Sequence, residues 1–202
     1  YLMLRGGKLS LVVVLSMLLA WEAFAIESAG ADEKVKVCFN YGCLAQAEVV
    51  FSNAQLSDLA QLMRAARTAE EERQAIGEAI GRLLGWAGQQ SPIAADRGGN
   101  YLDDAIYGRM DCIDHATTTT RLLSMMERHG MLRFHRLDEP VLRRRFLLFE
   151  HYSALIKEVS GDGAEVDAGR YVVDSWFFDN GQPAAVMPLA SWQKGESPNG
   201  VE

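Results

Sequence analysis

The spacing of apolar residues changes part-way along this chain, and the change limits the folds that the chain can adopt. Between residues 55 and 130 the apolar residues recur at helical spacing in three segments. Residues 146–159 and 170–178 are instead rich in β-branched and aromatic residues, with the turn formers of residues 160–163 between them. A helical half followed by a mostly antiparallel half predicts an α+β fold.

The helical half is predicted to contain three helices. The first covers residues 55–67. The second starts at a capping box made by Thr68 and Glu71 and ends near Gly88. The third starts at Cys112, after a loop rich in turn formers.

Flanking segments complete the predicted secondary structure. Residues 35–39 and 44–51 are rich in β formers and bracket a turn, which predicts a small hairpin or two short strands at the start of the domain. Residues 131–135 are predicted as a short strand, and the three arginines at 143–145 as a solvated loop. The Asn-Gly pair at 180–181 indicates a tight turn.

The first 31 residues have the pattern of a secretory signal. Arg5 and Lys8 form a basic region, and the uncharged run at residues 9–21 is shorter than the about 20 residues of a membrane span. Small residues predict cleavage after Ala25 or Ala31. The alternative is an uncleaved N-terminal anchor. Either way, the rest of the chain is expected outside the cytoplasm, in the periplasm or secreted.

Residues 32–202 have the size of a single domain. Their net charge is −7, as for the whole chain, because residues 1–31 contain two basic and two acidic residues. An acidic balance argues against nucleic-acid binding, which normally needs a basic face. No stable membrane insertion is expected after signal cleavage.

The three cysteines leave one without a partner. Cys38 and Cys43 flank the turn of the predicted hairpin, where facing residues can meet disulfide geometry. They are the predicted pair in an oxidising compartment. Cys112 is then a free thiol. A buried, unreactive Cys112 is the alternative, because free cysteine is among the most buried residue types.

Cys112 opens the third predicted helix, and that position favours chemistry at its sulfur. The free N–H groups and the dipole at a helix start stabilise a thiolate. The same N–H groups can hold the oxyanion that forms when a thiolate attacks an acyl carbon. Cys112 is therefore the candidate nucleophile.

A general base for this thiol must come from another element. His115 is one turn further along the same helix, where its ring is expected to pack or cap. His129 lies at the helix end, where the dipole favours an imidazolium. His135 is a fallback candidate near the start of the strand region. His151, within the predicted strand 146–159, is the preferred base.

Asp174 lies in the next predicted strand, between Val173 and Ser175. A carboxylate inside an apolar β segment is costly to bury unless it is hydrogen-bonded. An N–H of His151 on the neighbouring strand would satisfy Asp174 and would fix the imidazole tautomer. The alternative is that Asp174 caps a turn or faces water.

Three short segments together carry a family resemblance: residues 111–116 (DCIDHA), 151–154 (HYSA) and 173–176 (VDSW). In this order they resemble the transglutaminase-like superfamily, and more narrowly the bacterial transglutaminase-like cysteine proteinases of the periplasm. The resemblance covers roughly residues 95–192. It implies a papain-like α+β core in which the nucleophile helix packs on an antiparallel sheet and is preceded by helices.

The resemblance also implies acyl transfer through a thioester. Cys112 would be the nucleophile, His151 the base and Asp174 the residue that orients the base. A second oxyanion donor is implied upstream of the cysteine, and Asn100 and Tyr107 are its candidates.

Some periplasmic members of this superfamily bind calcium near the cysteine. Asp111 and Asp114 are present here, but Ile113 between them is apolar, so solvated structural carboxylates and no metal are expected. No cofactor is expected either, because no Cys/His pair has zinc-ligand spacing and no Gly-rich phosphate loop follows a strand.

The expected function is hydrolysis of peptide or protein amides by a cysteine protease. Amide transfer to an amine, which crosslinks proteins, is the enzymatic alternative, and a non-catalytic binding module is the alternative from another class. Trp86, Trp176 and Trp192 either line a substrate groove or belong to the core, as aromatic residues more often do.

Overall fold

The computed structural model describes residues 32–99, 102–145, 149–159 and 169–198. The predicted signal segment, the candidate Asn100 and the turn predicted at residues 160–163 lie outside these ranges. The described residues all fall within one unit of contacts, Asp32–Glu202.

The N-terminal hairpin forms as predicted. β1 (Glu33–Phe39) pairs antiparallel with β2 (Ala45–Phe51), and one face of the pair is buried in the core. In the connection between the strands, residues 40–43 all have positive φ angles, between 57° and 65°. Among them only Gly42 takes this left-handed conformation without a steric cost.

Three longer helices follow: α1 (Asn53–Ala65), α2 (Ala69–Gly88) and α3 (Cys112–Arg128). α1 starts earlier than predicted because Ser52 caps it in a capping box with Gln55. α2 starts where predicted, with the Thr68 side chain accepting the N–H of Glu71. α3 starts at Cys112, as predicted, and a short 3-10 turn (Pro92–Ala95) lies in the loop before it.

Glycines on one side of α2 let a distant segment, residues 180–184, approach the helix backbone. A Cβ on Gly81 would lie 2.7 Å from the carbonyl oxygen of Gln182, closer than a side chain tolerates. One turn further, a Cβ on Gly85 would lie 3.4 Å from its nearest neighbour, the Gly181 Cα. Glycine is therefore required for space at position 81 and much less so at position 85.

The second half is a four-stranded antiparallel sheet in the order β3 (His135–Arg145), β4 (Phe149–Glu158), β5 (Arg170–Asp174) and β6 (Ala185–Pro188). β5 corresponds to the strand predicted at residues 170–178, but it ends at Asp174. β6 and the short helix α4 (Leu189–Gln193) were not predicted. Together with the helices, this sheet confirms the α+β class.

The three-arginine run continues β3, so the predicted solvated loop is wrong. Across β3 and β4, Arg143 lies opposite His151, and Arg144 lies opposite Glu150. The Arg144 side chain forms an ion pair with Glu150 at 2.7 Å. The Arg143 guanidinium lies 4.6 Å from the ring centroid of Trp192. Arg144 therefore has a partner within the sheet and Arg143 has one in the short helix that follows β6, so their charge does not exclude them from a strand.

The strand predicted at residues 131–135 is also wrong, because β3 begins only at His135. Glu72 of α2 supplies the reason. Its buried carboxylate accepts the N–H groups of Arg133 at 2.7 Å and Phe134 at 2.8 Å, so these groups cannot join a β ladder.

α3 packs on both β sheets, against β4 on one side and β1 on the other. Its buried side chains share one core with those of β4, β5 and the hairpin: Leu122, Leu123, Met125, Met126, Ala154, Ile156, Val173, Val37 and Phe39. The start of α3 is therefore held between the hairpin connection and the four-stranded sheet. No helix within the described ranges is long and apolar enough to cross a bilayer.

Candidate active site

Cys112 occupies the first position of α3 and is half-buried. Its Sγ lies 4.0 Å from the carbonyl oxygen of Glu150, the residue before His151 on β4. Two later N–H groups of the first turn are engaged, since the side chain of Asp111 accepts that of Asp114 and its backbone carbonyl accepts that of His115. Within the described residues the N–H of Cys112 has no acceptor, as expected for the first turn of a helix. It is available to a developing oxyanion.

The hairpin connection holds the start of α3 in place. The N–H groups of Tyr41 and Cys43 donate to Asp114 at 2.8 and 2.7 Å, and the N–H of Gly42 donates to Asp111 at 2.9 Å. Asp111 and Asp114 also cap each other's backbone in a capping box. The left-handed connection thus presents three consecutive N–H groups to the two carboxylates on either side of Cys112.

The predicted disulfide between Cys38 and Cys43 is confirmed, and it closes this connection. Cys112 is the free cysteine. The sulfurs of the pair lie near the Asp114 carboxylate, but they are bonded to each other and cannot act as thiolate ligands. These three residues therefore do not form a metal site while the disulfide is present.

Asp114 is fully buried, so the expectation that it is a solvated carboxylate is wrong. Burial raises its pKa to about 6, and the charge of Asp111 acts in the same direction. The N–H groups of Asp111, Cys43 and Tyr41 oppose this shift by hydrogen bonding to the carboxylate. The Asp114 oxygens accept hydrogen bonds from the backbone of the hairpin connection.

His151 and Asp174 lie on neighbouring strands, and their side chains meet. His151 Nε2 is 2.7 Å from Asp174 Oδ2. The same oxygen accepts the indole N–H of Trp192 at 2.9 Å, and the other carboxylate oxygen accepts the backbone N–H of Trp176 at 3.2 Å. The buried Asp174 carboxylate therefore has three donors, and these contacts offset the free energy lost when the carboxylate leaves water.

The second nitrogen of His151, Nδ1, is buried and makes no hydrogen bond of normal geometry to the described residues. Burial lowers the pKa of His151, but hydrogen bonding and charge interactions with Asp174 and then with Cys112 outweigh it and raise the pKa to about 9. Because Asp174 occupies Nε2, Nδ1 is the nitrogen left for the thiol. Loose contacts of this kind are usual in ligand-free sites.

Aromatic rings surround the imidazole of His151. Its centroid lies 4.9 Å from that of Trp176, 5.6 Å from Trp192 and 5.8 Å from Phe177. Both tryptophans are buried, so they enclose the imidazole and do not line an open groove. Trp86 packs against the main core instead.

The other three histidines lie away from the thiol or bind other groups. His115 is buried, with contacts to Ser175 and Asp96. His129 ends α3 and lies 3.5 Å from a Glu33 oxygen, in the structural position expected for it. His135, the fallback base, is paired with Glu72 at 2.8 Å and is fully buried.

The two oxyanion candidates gain no support from the structure. Tyr107 is 67% exposed, and its ring packs edge-on against Phe39 with centroids 5.6 Å apart. Asn100 lies outside the described residues.

Sequence reasoning missed Trp192 as a donor to Asp174. Trp192 lies in the five-residue helix α4, which carries no recognisable start signal, and is 18 residues from Asp174. A tryptophan near a buried carboxylate was the only available signal, because a buried indole N–H usually has a partner.

Comparison of the chain with protein-family models, curated proteins and solved structures finds no match.

Proposed function

We propose that this chain is a cysteine hydrolase that cleaves peptide or protein amides, built on a papain-like core of the transglutaminase type. The observation that carries the proposal is the convergence of three side chains from three elements. Cys112 starts α3, His151 lies in β4, and Asp174 ends β5 with a 2.7 Å contact to the imidazole. A half-buried free thiol beside a buried imidazole–carboxylate pair is the arrangement that nucleophilic catalysis requires.

The charge state of His151 supports this assignment. With its pKa raised to about 9, the imidazole carries a proton at neutral pH and places a positive charge beside the Cys112 sulfur. Asp174 holds the ring in one orientation and stabilises its positive charge.

The proposed reaction has two halves. The Cys112 sulfur attacks the amide carbon, and the carbonyl electron pair moves onto oxygen, where the N–H of Cys112 stabilises it. The C–N bond then breaks as His151 gives its proton to the leaving amine, which leaves a thioester. Water attacks the thioester and gives a proton to His151, and the C–S bond breaks to release a carboxylic acid and free the sulfur.

The disulfide supports a location in an oxidising compartment, either the periplasm or the outside of the cell. In the same proposal the substrate is a peptide or protein, and the reaction needs neither a cofactor nor a nucleic-acid partner.

The test is hydrolysis of an unfolded protein, denatured casein, followed by counting new N-termini. We expect cleavage by the parent chain and none by Cys112→Ala or His151→Gln. His129→Gln, which changes a histidine at the far end of α3, is the matched control and should retain activity. In the same experiment iodoacetamide should label Cys112.

A fluorescent primary amine added to this assay distinguishes the alternatives. Incorporation of the amine into casein without new N-termini would contradict hydrolysis and indicate amide transfer. No product of either kind, together with an unlabelled Cys112, would indicate a non-catalytic binding module.

A further inference from the structure

A second group of buried polar side chains lies behind the proposed catalytic residues. It consists of Asp96, His115, Thr119 and Ser175, none of which is more than 4% exposed. The proposed reaction uses none of these side chains, so the burial of four polar groups at this place needs another explanation.

His115 is the centre of the group. Its Nδ1 lies 2.8 Å from Ser175 Oγ, which is also 3.0 Å from Thr119 Oγ1. Its Nε2 lies 3.0 Å from Asp96 Oδ2, although the two atoms are not aligned for a standard hydrogen bond. The other oxygen of Asp96 accepts the N–H of Met110 at 2.9 Å.

These contacts connect both sides of the candidate site. His115 is one helical turn beyond Cys112 on α3, and Ser175 directly follows Asp174 at the end of β5. Asp96 extends the connection to Met110, two residues before Cys112. One continuous path of buried contacts therefore joins the backbone beside the nucleophile to the backbone beside the carboxylate.

Stability alone does not explain this arrangement. When apolar side chains of similar volume replace all the partners of a buried polar contact, stability is often unchanged or increased. Buried polar contacts instead restrict the side chains that make them to a single geometry. In an acyl-transfer site a misplacement of about 1 Å can reduce the rate about 100-fold.

We propose that His115 and Ser175 are positioning residues, which fix Asp174, and through it His151, relative to the thiol of Cys112. This inference rests on the proposed function. It concerns residues that touch neither the substrate nor the reacting atoms.

The experiment uses the full chain and two measurements: the rate of Cys112 alkylation by iodoacetamide at pH 6, and kcat and KM for peptide hydrolysis. Ser175→Ala removes the hydroxyl that links β5 to His115. His115→Asn keeps an amide near the place of Nδ1, whereas His115→Gln keeps one near the place of Nε2. His135→Gln is the matched control, because it disrupts another buried histidine–carboxylate pair, with Glu72, on other elements.

We expect Ser175→Ala to lower kcat by about 10- to 100-fold, with KM changed by less than about threefold, and to slow alkylation about 10-fold. His115→Asn should retain more activity than His115→Gln, since it can still meet Ser175. His135→Gln should lower the unfolding midpoint but leave the alkylation rate unchanged.

Ser175→Ala with parental kcat and alkylation rate would overturn the positioning role, whatever happens to the His115 variants. If a His115 variant fails to fold, as judged by near-UV circular dichroism, Ser175→Ala decides alone. A Cys112 that is unreactive in the parent chain would contradict the proposed function itself, so the two failures are distinguishable.

Discussion

His151 contacts Asp174 through Nε2, at 2.7 Å from Oδ2, and not through Nδ1. This choice of nitrogen decides the direction of the ring. Nδ1, which is nearer the backbone of β4, is left to face the start of α3, and Glu150 beside it on that strand is already 4.0 Å from the Cys112 sulfur. The carboxylate therefore takes up Nε2 and leaves Nδ1 as the imidazole nitrogen without an acceptor of its own among the described residues.

Asp174→Asn should lower both the pKa of His151 and the rate of hydrolysis. The amide removes the negative charge that favours the imidazolium, so we expect the pKa to fall from about 9 to 6.5 or below. Hydrolysis should fall by about 100- to 10,000-fold, as expected when the imidazole loses its orienting carboxylate. Titration of the His151 ring by NMR and an assay of peptide cleavage measure the two effects.

Trp192→Phe is the control for that variant, because it removes only the indole donor to the same oxygen. His151 should keep a raised pKa in Trp192→Phe. A pKa near 9 in Asp174→Asn would contradict the role assigned to the carboxylate.

The stability of the chain should decrease as pH rises from about 6.5 to 9. The folded-state pKa of His151, about 9, is above its unfolded value, so the stabilisation is fully present below 6.5 and is lost as pH rises through 9. The contribution is about 3 kcal/mol at most. Urea unfolding at several pH values should show this slope in the parent and a flatter one in His151→Gln. Equal slopes in the two proteins would refute the assignment of this pH dependence to His151.

Replacing both Cys38 and Cys43 by alanine should destabilise the chain by about 2 kcal/mol, the loop-closure value for so short a disulfide. Activity should fall as well, because the connection that binds Asp111 and Asp114 loses its closure. Thermal unfolding and peptide hydrolysis report the two quantities. Unchanged hydrolysis in a destabilised variant would show that the connection does not influence Cys112.

Gly81→Ala should destabilise the chain by about 1–3 kcal/mol, because its Cβ would lie 2.7 Å from the Gln182 carbonyl oxygen and force the segment from the helix. Gly85→Ala, where the nearest atom is 3.4 Å away, is the paired control. It should be neutral, or stabilise by up to about 1 kcal/mol through helix propensity. Denaturant midpoints compare the two variants, and equal losses would contradict the close approach at position 81.

Features that depend on neighbouring residues could be predicted from the sequence. The start of α2 is signalled by Thr68 and Glu71, which lie one turn apart. The hairpin disulfide is signalled by two cysteines on either side of a turn. Both contacts form within a few residues, so tertiary packing does not alter them.

Features that depend on contacts between distant residues could not be predicted. The N–H groups of Arg133 and Phe134 are taken by Glu72, about 60 residues earlier, and this contact removes them from the strand that their sequence favours. The donation from Trp192 to Asp174 and the contact of Asp96 with His115 arise only when separate elements pack. The polar character of Arg143 concealed a strand because its partner, Trp192, lies far along the chain.

The four left-handed residues at 40–43 cannot keep their shape unaided. Three of them are not glycine, and each costs about 1–2 kcal/mol in that conformation. The acceptors on Asp111 and Asp114 compensate for this cost, so the connection and the first turn of α3 form one cooperative unit. The amide hydrogens of Tyr41, Gly42 and Cys43 should therefore show the same free energy of opening in hydrogen exchange, set by the event that also releases the first turn around Cys112.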